Sequence, residues 1–264
     1  MTRITSRSSR LAVAALLAAV ALATSTATAV AAVDPGTPDK DVHVGQDNDT
    51  AANPFISPPG VVARQDMDET DLLFGRGNAD LLIGNHGNDV LLGGPGPDIL
   101  VGGSDRGSLQ PSHTGNDVLV ADDGDDVLIW SPGDGNDITD GNDGTDTLIV
   151  GPTVRNPDGS IRLDTQSRNR TIPRVELDGF PTYACTLVPV PASEKLGVQY
   201  LLRFSVDGVM QNTLRVKDME RVICPGPSAF TAQVADLTAG KPSFSTVPFT
   251  SIRGLAGAII APVS

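Results

Sequence analysis

Aromatic residues are scarce in this 264-residue chain, at 4%, with one tryptophan, two tyrosines and seven phenylalanines. So few large rings argue against the broad core of a globular enzyme. The three histidines (His43, His86 and His113) are scattered, and there is neither an HExxH helix nor a G-x-S-x-G elbow. No glycine loop precedes a lysine to cradle phosphate, because Gly93 and Gly94 lead to an aspartate instead. Positive charge is also short, with 19 Lys and Arg against 32 Asp and Glu and a net charge of −13. That balance opposes binding to nucleic acid, whose phosphates would repel it. Beyond the amino terminus no apolar run is long enough to span a bilayer.

The amino terminus reads as an export signal. Arg3, Arg7 and Arg10 precede an apolar stretch from Leu11 to Ala23, and A-x-A cleavage sites end at Ala29 and Ala31. A retained anchor is the alternative, but the apolar stretch is short for a span of roughly 20 residues. Residues 1–31 are therefore expected to be removed, giving a secreted, extracellular protein with no membrane span. In that oxidising setting Cys185 and Cys224 are expected to form a disulfide, two free buried thiols being the other possibility.

Residues 32–65, rich in proline, aspartate and alanine, read as a flexible leader. From 66 to 150 the chain repeats with a period of nine. GRGNADLLI, GNHGNDVLL and GGPGPDILV follow one another from Gly75 to Val101, behind a degenerate first copy, DMDETDLLF. A fifth copy opens at Gly102 and Gly103 and, after an insertion, resumes as TGNDVLV. ADDGDDVLI, the expanded WSPGDGNDITD and GNDGTDTLI complete the series. The sixth position is always aspartate: Asp71, Asp80, Asp89, Asp98, Asp117, Asp126, Asp137 and Asp146. Two residues later stands a leucine, except for Thr139 in the expanded copy.

Glycine and asparagine in the first six positions suit tight turns, and the last three residues suit a very short strand. Such strands bury nothing alone and become stable by stacking, with the leucines as a ladder. Stacking also aligns carboxylates in rows about 4.8 Å apart. Residues 66–150 contain 18 acidic residues and two arginines, a charge of −16 that leaves +3 for the remainder. Like charges so arranged repel, and a divalent cation between rows would remove the repulsion. Calcium suits best, because it takes six to eight carboxylate and carbonyl oxygens in flexible geometry. No thiolate or histidine cluster is present to select zinc or copper. The alternatives are a metal-free β-helix, or an acidic segment that stays disordered until metal binds.

GGPGPDILV is similar to the GGxGxDxUx nonapeptide of the repeats-in-toxin (RTX), hemolysin-type calcium-binding proteins. The resemblance covers roughly a third of the chain. It implies an all-β fold, a right-handed parallel β-roll in which two nonapeptides make one turn, with several calcium ions between loops on the same side. Asp71, Asp89, Asp117 and Asp137 would line one edge, and Asp80, Asp98, Asp126 and Asp146 the other. Gly84, Gly87, Gly93, Gly94, Gly96, Gly102, Gly103, Gly115, Gly124, Gly135, Gly141 and Gly144 would shape the loops and lend carbonyls.

Residues 151–264 lose the repeat and read as a small β-rich domain, with strands expected near 160–164, 171–177, 184–190, 199–206 and 213–223. Within it, Leu214 to Cys224 (LRVKDMERVIC) resembles the strands that cap such repeats. The function expected is that of an extracellular calcium-binding module, not an enzyme, whose partner is an unidentified protein or surface. The alternative is a secreted enzyme with its site in residues 151–264.

Overall fold

The computed structural model describes residues 30–34, 42–44, 70–84, 87–103, 115–131, 134–151, 153–155, 161–163, 183–191, 193, 197–227 and 231–252. The described part is all β, apart from one short helix. The repeats supply eight strands: β3 (Thr70–Phe74), β4 (Leu81–Ile83), β5 (Val90–Leu92), β6 (Ile99–Val101), β7 (Val118–Asp123), β8 (Val127–Trp130), β9 (Ile138–Asp143) and β10 (Thr147–Val150). They alternate between two sheets. The first holds β3, β5, β7 and β9 and the second β4, β6, β8 and β10, all paired in parallel.

Register explains the period of nine. Leu73, Leu91, Leu119 and Thr139 are consecutive partners in the first sheet, and Leu82, Leu100, Leu128 and Leu148 in the second. The seven leucines are buried in one cluster shared by both sheets. Side chains alternate along a strand, so one inward leucine per row fills the space between the sheets. Thr139 breaks the ladder, and its hydroxyl donates to the Arg215 carbonyl at 3.3 Å.

Both sheets continue without interruption into the carboxy-terminal half. In the first, β9 pairs in parallel with β15 (Val209–Lys217), which leads antiparallel through β14 (Tyr200–Val206) to β13 (Tyr183–Pro189). In the second, β10 pairs in parallel with β16 (Arg221–Pro225), followed antiparallel by β17 (Thr231–Asp236) and β18 (Ser245–Pro248). A separate hairpin joins β11 (Thr153–Arg155) and β12 (Ile161–Leu163), and α1 (Phe249–Ile252) follows β18. The single strand expected at 213–223 is two strands. At Asp218 to Glu220 the chain crosses from one sheet to the other, as the repeat loops do. The strand expected at 171–177 lies outside the described residues, as do His86, His113 and the insertion after Gly103.

Two pieces of the amino-terminal region depart from expectation. β1 (Val30–Asp34) pairs in parallel with β3, and β2 (Val42–Val44) with β4. The first repeat rows would otherwise present open sheet edges, and these extended residues occupy them. Cleavage after Ala29 leaves β1 whole, whereas cleavage after Ala31 removes its first two residues.

Three aromatics, Trp130, Tyr183 and Phe204, gather where the repeats meet the carboxy-terminal strands. Phe204 lies edge-on to Trp130 at 5.3 Å and stacks on Tyr183 at 5.7 Å. Beside them Cys185 on β13 is bonded to Cys224 on β16, with Cα atoms 6.4 Å apart, so the disulfide joins the two sheets.

Leu128→Ala is expected to cost about 2–5 kcal/mol in denaturant unfolding, because packed rows on both sides prevent collapse of the cavity. Replacing Cys185 and Cys224 together by alanine should cost about 3–4 kcal/mol, as a loop of this length would predict. A loss near zero in either experiment would show that the core or the bridge is not under the constraint described.

Candidate metal centre

The sixth-position aspartates stand in two columns, one per sheet, in the grouping that the resemblance implies. All eight are 3% exposed or less. Each column is a ladder of hydrogen bonds from backbone N–H to carboxyl oxygen. In the first, Asp71 N–H donates to Asp89 Oδ1 (2.8 Å), Asp89 N–H to Asp117 Oδ1 (2.8 Å) and Asp117 N–H to Asp137 Oδ1 (2.9 Å). In the second, Asp80 N–H donates to Asp98 Oδ1 (2.8 Å), Asp98 N–H to Asp126 Oδ1 (2.7 Å) and Asp126 N–H to Asp146 Oδ1 (2.9 Å). One carboxylate oxygen per row thus satisfies a backbone donor at the point where the loop enters the strand.

The degenerate first copy does not exclude Asp71, which takes its place in the ladder. At the far end the columns differ. Glu220 Oε2 accepts from Asp146 N–H at 2.7 Å and so continues the second column, in a role its sequence position did not reveal. In the first sheet Arg215 pairs with Ile138, which brings Leu214 level with Asp137, and no acidic residue follows.

The second carboxylate oxygens face the loops. Oδ2 of Asp98, Asp126 and Asp146 is buried without a hydrogen-bond partner. A Cβ placed on Gly93 would meet Asp98 Oδ2 at 2.5 Å and the Ala121 carbonyl at 2.8 Å. One on Gly75 would meet Asp80 Oδ2 and the Gly93 carbonyl, both at 2.6 Å, and one on Gly84 would meet Asp89 Oδ2 and the Gly102 carbonyl. Gly102 and Gly141 lie in the same way against Oδ2 of Asp117 and Asp146. Glycine at position one therefore leaves a cradle where a carboxylate oxygen and a carbonyl of the following row converge.

Position four is constrained by stacking. A Cβ on Gly96, Gly115, Gly124, Gly135 or Gly144 would collide with the carbonyl oxygen of Asn78, Gly87, Gly96, Gly115 or Gly124, respectively. Gly87, Gly96 and Gly135 also have left-handed φ, and Asn78 reaches the same region at +70°. Gly94 would strike the Arg76 backbone, and Gly103 lies against the carboxylate of Asp134.

Two further features were not anticipated. At position five, Asn116 N–H donates to Asn88 Oδ1 and Asn136 N–H to Asn116 Oδ1, both at 2.9 Å. Thr213 N–H then donates to Asn136 Oδ1 at 2.8 Å. This second ladder runs opposite in sense to that of the aspartates, and its sequence trace is an asparagine in alternate copies. The other is Asp134, buried in the expanded loop, whose Oδ2 accepts from Ser131 N–H at 2.8 Å.

Electrostatics follow from this burial. Desolvation, reinforced by the charges of Asp126, Asp80 and Asp122, pushes Asp98 up to about 8 against the hydrogen bond from Asp80 N–H. Burial raises Asp126 to about 7 and Asp146 to about 8 in the same way. Asp117 and Asp137, fully enclosed and close to Asp134, are held well above the usual carboxylate range. Among the described residues no three His, Cys, Asp or Glu side chains converge on one point. A cation at these loops would therefore take carboxylate oxygens from the columns and most other ligands from backbone carbonyls. That all-oxygen set suits a hard cation and not a thiophilic one.

Carboxyls whose pKa is raised on folding bind protons more tightly folded than unfolded. Their contribution to the metal-free fold is complete below about pH 4 and is lost as pH rises through 7 to 8. Metal-stripped chain should accordingly show more β signal in circular dichroism, and a higher melting temperature, at about pH 5 than at about pH 8. The opposite order would mean that these carboxylates are ionised and stabilised without a cation. No family model, curated protein or solved structure matches the chain.

Proposed function

We propose that the chain is a secreted calcium-binding protein whose alternating rows form a right-handed parallel β-roll of the RTX type, capped by the strands after Val150. The observation that carries this reading is the second column, where Oδ2 of Asp98, Asp126 and Asp146 is buried and unpartnered, and where Oδ2 of Asp98 and Asp146 lies against the glycine-lined cradles at Gly93 and Gly141. Burying such oxygens is costly unless a proton or a cation compensates them. Near neutral pH a proton is only partly held, and several calcium ions between the loops would supply the missing charge. Carbonyls stacked at positions one and four add uncharged oxygen donors. The A-x-A sites ending at Ala29 and Ala31 support export to the outside of the cell, where calcium is abundant and a disulfide persists.

In this reading calcium drives folding. The metal-free rows repel one another, and the binding free energy becomes free energy of ordering. The folded rod then presents itself to an extracellular protein or surface, as a binding or structural module without catalysis.

The test is a calcium titration of metal-stripped protein, monitored by circular dichroism and calorimetry. The expected result is a cooperative gain of β signal that equal magnesium does not reproduce. Asp126→Asn keeps an oxygen for the Asp98 N–H but removes the charge. It should weaken calcium binding roughly tenfold or more, about 1.4 kcal/mol, while stabilising the metal-free state. A chain equally β-rich in chelator and in calcium would overturn the proposal.

A further inference from the structure

The outer face of the second sheet is buried although no described layer lies over it. Positions seven and nine of each row point away from the leucine core, and on this sheet they are aliphatic except for Thr147. Ile83, Val101, Ile129, Ile149 and Ile223, one from each of five neighbouring strands, form a continuous column at 2% exposure or less. A side chain on an open sheet face keeps its tip in water unless a second layer covers it. Among the described residues, the one member of this cluster outside the sheet's own strands is Ile252, itself 2% exposed. Ile252 ends α1, the last described element, so the chain leaves the described structure on this face.

The chain continues as RGLAGAIIAPVS, residues 253–264, which bears one charge, at Arg253, and aliphatic residues at Leu255, Ile259, Ile260 and Val263. The column from Ile223 to Ile83 spans four strand spacings, roughly 19 Å. Twelve residues reach about 40 Å extended, so the segment can cover the whole column in that form. The other stretches outside the described residues fit this face poorly. Residues 45–69, 156–160 and 164–182 carry many charges and prolines, and residues 1–29 precede the expected cleavage sites.

We propose that the carboxy-terminal segment 253–264 is the occupant of this face and forms an apolar third layer over the second sheet. The repeats are thereby given a dry outer side by a segment far from them in sequence. Without it the protein would present an aliphatic stripe running the length of the stack. This inference is independent of calcium.

The experiment compares the chain from Val30 to Ser264, which keeps every described residue, with the same chain ending at Ile252. Both are studied in calcium by 8-anilinonaphthalene-1-sulfonate fluorescence, circular dichroism and sedimentation. The shortened chain should keep its β signal, bind the dye several-fold more strongly, and lose that excess when a synthetic peptide of residues 253–264 is added. Ile259→Asp together with Ile260→Asp in the longer chain should raise dye binding in the same way, and this variant decides the matter if the shortened chain does not fold. Unchanged dye binding by a folded shortened chain would overturn the proposal. If that chain stayed monomeric, another stretch would be the cover, and if it were dimeric in both forms, a second copy would be. Unchanged binding by the double variant would overturn it equally.

Discussion

The structure depends on burying a carboxylate in every row. An aspartate at the sixth position accepts the backbone N–H of the aspartate one row before it, and eight such rows in two columns leave almost none of these side chains in water. The hydrogen bond fixes the spacing and phase of the loops, because it joins the same point of consecutive turns. It also brings acidic groups together faster than the fold can neutralise them. The two columns therefore supply the register of the stack and, where their carboxylates are ionised, the chief opposition to it.

Around that constraint the loops have little freedom. Backbone meets backbone so closely at position four that a methyl group would overlap the neighbouring carbonyl. The repeat is glycine-rich because the loops stack as tightly as the strands do. Turn chemistry alone would accept asparagine or aspartate at many of these positions, and it does at Asn78, Asp122 and Asn142, where φ is positive. The ends of the stack relax these rules. Thr139 gives up a place in the leucine ladder and bonds to β15, and Lys217 reaches back to Asp140 at 2.5 Å. That contact brings a cation from the carboxy-terminal half to the last row of the first sheet.

The repeat rows are largely legible in the sequence because a period of nine places the same chemistry at the same point of every turn. Asp98, Leu100 and Gly96 can be assigned from their copies alone, and the alternation of columns follows once two copies make one turn. The features that stay hidden depend on partners distant in the chain. Glu220 looks like an ordinary charge on a capping segment until Asp146 N–H is seen to point at it. Asp134 is hidden by the expansion of its loop, and β1 and β2 are too short and irregular to read as strands without the edges they join. The aliphatic residues at positions seven and nine are in plain view, but sequence alone does not distinguish an outward face that is wet from one that is covered.

The bond between Cys185 and Cys224 gives the stack a direction. It ties the two sheets together at one end only, beside Trp130 and Phe204, while the opposite end finishes in the short strands β1 and β2. Rows near the bridge have their neighbours held in place by a covalent link, and rows far from it do not. Order can therefore spread outward from the clamped end one turn at a time, and fraying begins at the other. Such a molecule resembles a zipper with a fixed stop, closed first beside the bridge.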